Sequence, residues 1–144
     1  MFQHILLPTD GSEPAMRAVT RGVELAARLG ARVTVMTAIE HLPVGALASG
    51  YRAPEPQQEP PGVQAANYWL DQAEAVARKA GVPCQRIVLR DQPVFRAILD
   101  AAQSSGADLI VMGTHGMGLM ERLFLGSQTQ RVLAHTQIPV LTLH

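Results

Sequence analysis

The chain has 144 residues, of which 47% are hydrophobic, and its 12 Lys and Arg balance 12 Asp and Glu. The length predicts a single domain over 1–144, and zero net charge argues against a general nucleic-acid binder or a polybasic membrane-surface protein. The one cysteine, Cys84, excludes an intrachain disulfide. The apolar runs are too short for a bilayer, and the first residues do not read as a signal peptide. We therefore expect a cytoplasmic protein.

Five short apolar runs predict β-strands. They are nearly continuous rather than alternating, which is typical of strands that are buried on both faces of a sheet. In chain order the predicted strands cover 2–7, 32–39, 84–89, 109–112 and 139–143.

Four stretches between these runs carry small and apolar residues every three or four positions, which predicts helices. Their ends have the residues that helix ends prefer, polar side chains or proline at the start and glycine after the last turn. The predicted starts of the first, third and fourth helices are Ser12, Pro93 and Ser127, and the spacing of the second helix is repeated from Ala66 onward. The glycines after the first three helices are Gly30, Gly81 and Gly106.

The alternation of strands and helices predicts an α/β fold, an open five-stranded parallel sheet with helices on both faces. One segment, 41–63, departs from it and holds five of the ten prolines. A connection of this length is either a mobile insertion or a functional loop, that is, a lid or a partner contact.

Two predicted strands end in unusual residues. The first is followed by Pro8, Thr9, Asp10 and Gly11, and it lacks the G-x-G-x-x-G dinucleotide fingerprint. A carboxylate at Asp10 can accept from ribose hydroxyls or help to hold Mg²⁺, and it can also shape the corner as an Asx turn. These roles are compatible. No Walker A sequence occurs anywhere in the chain.

The fourth strand is followed by a spaced set of glycines. Gly113 and Gly116 are separated by two residues, and nine more residues precede Gly126, which is followed by Ser127. Successive backbone N–H groups and a helix N-terminus can together cradle a phosphate. The alternative is that these are only turn and cap glycines. If the strand order is 3-2-1-4-5, the first and fourth strands are neighbours and both segments face one crevice.

These segments together resemble the universal stress protein family. The glycine set is similar to that family's G-2x-G-9x-G-[S/T] nucleotide motif, residues 5–12 are similar to its opening strand and turn, and 138–141 to its closing strand. The resemblance covers the chain apart from the proline-rich segment. It implies a Rossmann-like fold of the adenine-nucleotide α-hydrolase type, with strand order 3-2-1-4-5, and dimers that pair through the last strand, here 139–143.

Family members that carry the full glycine motif typically bind ATP, often with Mg²⁺. The resemblance implies that Asp10 contacts the ribose or the metal and that Ala38 presents its backbone to adenine. Gln128 departs from the small or β-branched residue that is common in the family at this position. The implied nucleotide site consists of Pro8, Thr9, Asp10, Ala38, Met112, Gly113, His115, Gly116, Gly126, Ser127 and Gln128.

His115 has two interpretations. Its ordinary pKa would suit an acid or base, but its segment offers no obvious carboxylate partner, which favours hydrogen bonding to phosphate. We therefore expect an ATP-binding regulator or sensor of the stress response rather than an efficient hydrolase, with slow hydrolysis or autophosphorylation left open. The alternatives are a nucleotide-independent dimerisation and interaction module, and an adenylating enzyme.

Overall fold

The computed structural model describes residues 1–40, 62–114 and 125–144. The expectations for the proline-rich segment fall almost wholly outside these ranges. Within them, five strands alternate with four helices as predicted. In chain order these are β1 (His4–Pro8), α1 (Glu13–Leu29), β2 (Arg32–Ile39), α2 (Val63–Lys79), β3 (Cys84–Arg90), α3 (Val94–Ser105), β4 (Leu109–Gly113), α4 (Ser127–His135) and β5 (Val140–Leu143).

The strands form one sheet in the order β3-β2-β1-β4-β5, and every neighbouring pair is parallel. The predicted fold class and strand order are therefore confirmed. β1 lies at the centre, with His4 opposite Arg32 of β2 and Ile5 opposite Leu109 of β4. This order brings the carboxyl ends of β1 and β4 side by side.

The ends of α1 follow the local sequence, whereas α2 begins at Val63, three residues before its first predicted apolar position at Ala66. Ser12 accepts a hydrogen bond from the Ala15 N–H and caps α1, and Gly30 closes the same helix with φ 64°. α4 differs, since it begins at Ser127 with Gly126 as the cap residue. The prediction that Ser127 caps this helix is wrong by one position. The Gly126 N–H is bonded to the Thr114 carbonyl at 2.7 Å, which keeps Gly126 outside the helix.

Two hydrophobic layers cover the two faces of the sheet. Residues of α1 and α2 pack on one face, and residues of α3 and α4 pack on the other. β1 is buried throughout, as expected, whereas β3 and β5 are only partly buried because each lies at an edge of the sheet. In the ranges that the structure describes, every helix is too short or too polar to cross a membrane.

A buried histidine lies at the start of β1, at the amino ends of the strands. The candidate crevice residues lie at the opposite, carboxyl ends of β1 and β4. His4 is 2% exposed, and its Nε2 lies 2.7 Å from the Thr34 hydroxyl. Burial, to which the charge of Arg32 adds, lowers the pKa of His4 below 6.5. The backbone at Ser105 and the Asp108 carboxylate oppose this shift only partly. The folded protein therefore keeps this imidazole neutral at a pH where the unfolded chain protonates it.

We expect the free energy of unfolding to fall as the pH drops below the unfolded-state value of 6.5. In this window the unfolded chain binds a proton that the folded chain does not, so His4 contributes a slope of at most about 1.4 kcal/mol per pH unit. Urea denaturation from about pH 8 to about pH 5 measures it. His4→Gln should flatten the dependence, and an equal slope in the variant and the parent protein would contradict this assignment.

Candidate functional site

The candidate site lies where the connections from the sheet diverge. β1 continues into α1 on one face of the sheet, and β4 leads toward α4 on the other face. The two strands are neighbours, so their carboxyl ends form the switch point of the sheet. In open α/β sheets this switch point is the usual ligand site.

The turn after β1 is held by its own polar groups. The buried Thr9 donates its N–H to the Met36 carbonyl at 2.8 Å, and its hydroxyl accepts from the Gly11 N–H at 3.1 Å. Asp10 Oδ1 accepts from the Ser12 N–H at 2.9 Å, which is the Asx-type contact that the sequence offered as one role for this residue. Asp10 Oδ2 makes no hydrogen bond within the described part of the chain, so it remains an acceptor for a ligand.

A tryptophan covers this turn, which sequence analysis did not anticipate. Gly11 has φ 77°, and a Cβ there would lie only 2.1 Å from Nε1 of Trp69 in α2. The indole therefore lies directly on the glycine backbone beside Asp10. In sequence, Trp69 is only one position in an amphipathic helix, and its partner is 58 residues away.

The end of β2 contributes backbone at the other side of the turn. Ala38 is half-buried and pairs with Leu89 of β3. The next carbonyl, that of Ile39, accepts from the Asp91 N–H at 3.1 Å. Asp91 has φ 61°, a conformation that aspartate tolerates better than most residues, and the sequence interpretation did not single it out.

The ends of the glycine-spaced segment meet. Thr114, just after β4, donates its N–H to the Leu143 carbonyl and accepts from the Gly126 N–H through its own carbonyl. Thr129 of α4 donates its hydroxyl to the Gly113 carbonyl at 3.1 Å. These bonds join the end of β4 to the start of α4, so Met112 and Gly113 lie close to the N-terminus of that helix.

The N-terminus of α4 presents backbone N–H groups beside the end of β4. Its cap residue is Gly126, and no side chain in the described ranges caps the helix, in contrast to Ser12 at α1. The first N–H groups of a helix have no intrahelical acceptor, and they carry the positive end of the helix dipole. Ser127 is exposed at this end. The arrangement can accept a phosphate without any lysine or arginine.

Gln128 is directed elsewhere. Its Oε1 accepts from the Phe95 N–H at 3.0 Å, so its side chain caps the start of α3. Pro93 supplies no side-chain cap there. This bond gives a structural reason for a long amide at a position where the resemblance implied a small residue. The Gln128 backbone still belongs to the first turn of α4.

Two of the expected site residues, His115 and Gly116, lie outside the described residues, and their roles stay predictions. Gly113 and Gly126 do not use the left-handed conformation, since Gly126 has φ −57° and Gly113 is not among the positive-φ glycines. Any requirement for glycine at these two positions therefore comes from the space around the backbone. The described ranges hold no group of three or more His, Cys, Asp or Glu that could bind a metal ion.

Comparison with known proteins gives a consistent result. The profile of the universal stress protein family matches residues 1–144. A relative from Thermus aquaticus, "Universal stress protein in QAH/OAS sulfhydrylase 3'region", is 41% identical over 145 residues, which is 98% of each chain.

Solved structures of similar fold at more than 25% identity include two that are named for the universal stress protein family. A protein from the universal stress protein family of Burkholderia pseudomallei is 27% identical, with TM-score 0.73, over 98% of this chain and 95% of its own. A universal stress protein in complex with cAMP is 26% identical, with TM-score 0.68, over 99% of this chain and 97% of its own.

Proposed function

The chain belongs to the universal stress protein family, and from this premise we propose that it binds ATP and acts as a nucleotide-dependent regulator in the stress response. We take 1–144 as one domain of that family, acting in the cytoplasm. The related protein solved with cAMP supports the adenine nucleotide as the ligand class. The glycine motif of this chain favours ATP within that class.

The observation that carries the proposal is the N-terminus of α4, which no side chain of the described residues caps and which is bonded to the end of β4 beside the β1 turn. The bond between the Gly126 N–H and the Thr114 carbonyl holds this helix end at the crevice. Backbone N–H groups there suit phosphate oxygens, whereas a carboxylate suits a ribose hydroxyl. A nucleotide has both a phosphate and a ribose. The carboxylate follows β1 and the N–H groups are bonded to the end of β4, and these two strands are neighbours.

The proposed contacts follow from this placement. The triphosphate meets the N–H groups at the start of α4, and Asp10 Oδ2 accepts from the ribose. The Ala38 backbone faces adenine, and Met112 and Gly113 form the floor. His115 and Gly116 belong to the proposed site through the sequence motif alone. The remaining members are Pro8, Thr9, Gly126, Ser127 and Gln128.

Mg²⁺ enters the proposal through the nucleotide. Asp10 is one carboxylate, and the described ranges contain no larger group of metal-binding side chains. Mg²⁺ commonly binds through one or two carboxylates together with substrate phosphates. We therefore propose that phosphate oxygens supply most of its ligands and that Asp10 acts through water.

Direct binding tests the proposal. Purified protein is titrated with ATP, cAMP and GTP by calorimetry, with and without Mg²⁺, and native mass spectrometry detects any nucleotide that co-purifies. We expect ATP to bind most tightly and to raise the melting temperature. A ligand at 100 times its Kd stabilises the folded state by about 2.7 kcal/mol. Protein that neither retains nor binds an adenine nucleotide would contradict the proposal and favour the interaction module.

We also propose that the protein forms a homodimer through β5. This strand is at the edge of the sheet, so one side of its backbone has no neighbouring strand within the described residues. Leu141 in this strand is 40% exposed, and Leu133 of α4 is 42% exposed. An unprotected edge with apolar side chains is a template for pairing with a second copy.

Leu141→Asp should convert the dimer into a monomer, because the variant would bury a charge at the centre of the interface. Light scattering after size exclusion measures the mass, which we expect to change from twice the 15.5 kDa chain mass to the chain mass. Leu29→Asp is the matched control, since Leu29 is 42% exposed at the end of α1. A monomeric parent protein, or a dimeric Leu141→Asp variant, would rule out this interface.

A further inference from the structure

We propose that Trp69 is a positioning residue for ribose recognition, because its indole holds the β1 turn that carries Asp10. This inference rests on the proposed function and deepens it by assigning a specificity role to a residue outside the nucleotide contacts. The contact between Trp69 and Gly11 carries the argument.

The Thr9 N–H anchors the start of the turn to the Met36 carbonyl of β2, and the segment from Asp10 to Gly11 beyond it depends on further contacts. Its two internal bonds run from the Gly11 N–H to the Thr9 hydroxyl, and from the Ser12 N–H to Asp10 Oδ1. Both are between near neighbours in sequence, and the Asp10 side chain is only partly buried. A turn built on such local bonds keeps conformational freedom unless packing removes it.

Trp69 provides that packing. A Cβ on Gly11 would lie only 2.1 Å from Nε1 of the indole, so the absence of a side chain at Gly11 permits the contact. The helix backbone that carries Trp69 is held in place, since Trp69 lies between two buried positions of α2. These are Ala66 and Leu70, both 0% exposed. The indole ring therefore packs against the turn from a helix that is itself packed in the core.

This packing acts on Asp10 through the peptide between them. With one carboxylate oxygen bonded to Ser12, the direction of Oδ2 depends on the conformation of the turn. A hydrogen bond to a charged acceptor loses strength steeply when its geometry is poor. Loss of the indole should therefore weaken binding of nucleotides that carry ribose hydroxyls and leave binding of those that lack them almost unchanged.

The test compares ATP with 2′,3′-dideoxy-ATP by calorimetry. We expect the parent protein to prefer ATP by about tenfold or more, as for a hydrogen bond to a charged group. Trp69→Ala should bring this ratio close to one, mainly through weaker ATP binding, and Trp69→Phe should restore part of it. Tyr68→Ala, which removes the adjacent and 61% exposed ring, should leave the ratio unchanged.

Gly11→Ala is a second way to remove the indole from the turn. It keeps Trp69 but places a methyl group where the indole lies, so the ring must leave the turn. Because φ at Gly11 is 77°, alanine also strains the backbone of this turn, so we expect a loss of preference at least as large as in Trp69→Ala. A folded Gly11→Ala variant that keeps the preference would therefore contradict the inference even if Trp69→Ala fails to fold.

The outcomes separate the inference from the proposed function. A parent protein that binds no adenine nucleotide overturns the proposed function itself. If the parent prefers ATP but folded Trp69→Ala and Gly11→Ala keep that preference, the positioning role is wrong and the proposed function stands. A melting temperature that falls with no change in the ratio assigns Trp69 to stability alone.

Discussion

Replacing Gly126 with valine is expected to lower the affinity for ATP by about 100-fold or more, as for the loss of two charge-assisted hydrogen bonds. Gly126 has φ −57° and ψ 150°, which an L-residue adopts without strain. The fold should therefore tolerate valine. The branched side chain would occupy the space through which phosphate approaches the first N–H groups of α4. Calorimetry measures the affinity, and thermal denaturation measures the fold.

Gly30→Ala is the control for this experiment. Gly30 has φ 64° and open space around a Cβ, so alanine there strains only the backbone. We expect it to destabilise the protein by about 1–2 kcal/mol and to leave nucleotide affinity unchanged. Unimpaired ATP binding by folded Gly126→Val would refute the phosphate site at α4. A variant that does not fold would show that this glycine has a structural role.

Replacing Leu6 with alanine is expected to destabilise the protein by about 2–5 kcal/mol, a large part of the stability of a domain. Leu6 is 0% exposed in the central strand and belongs to the layer that α3 and α4 cover. Alanine would leave a cavity that strands on both sides prevent from closing. Urea denaturation measures the loss as a lower midpoint with an unchanged slope.

The control is Leu29→Ala, the same substitution at a leucine that is 42% exposed. Surface changes of this kind usually alter stability by about 0.5 kcal/mol or less. A similar cost at both positions would mean that the layer between the sheet and α3 is loosely packed. The comparison separates the effect of burial from that of the residue type.

Much of the fold could be predicted because the informative signals are local. The strand 32–39 was predicted at its observed bounds, since Gly30 ends the preceding helix. Ser12 caps α1 as expected because its bond reaches only three residues along the chain. The edge position of β3 was predicted by the strand order, but its exposure was not, because apolar content alone does not distinguish an edge strand from a central one.

The site was less predictable because its decisive contacts connect distant residues. The Gly126 N–H is bonded to the Thr114 carbonyl, and the cap of α4 is Gly126 rather than Ser127. The Gln128 side chain accepts from the Phe95 N–H and so contacts another helix. Trp69 contacts Gly11 across 58 residues. Each contact depends on how two distant elements pack together. Composition and residue spacing do not predict such packing.

The bond between Thr114 and Gly126 also bears on chain length. The chain leaves β4 and enters α4 at points that this hydrogen bond joins, so contacts among the described residues hold the start of α4 at the end of β4. The entropic cost of closing a loop rises by only about 0.6 kcal/mol for each doubling of the loop length. We therefore expect the fold to tolerate a spacing longer than the nine residues of the motif. Insertion of one or two residues there would separate what the ligand requires from what the fold requires.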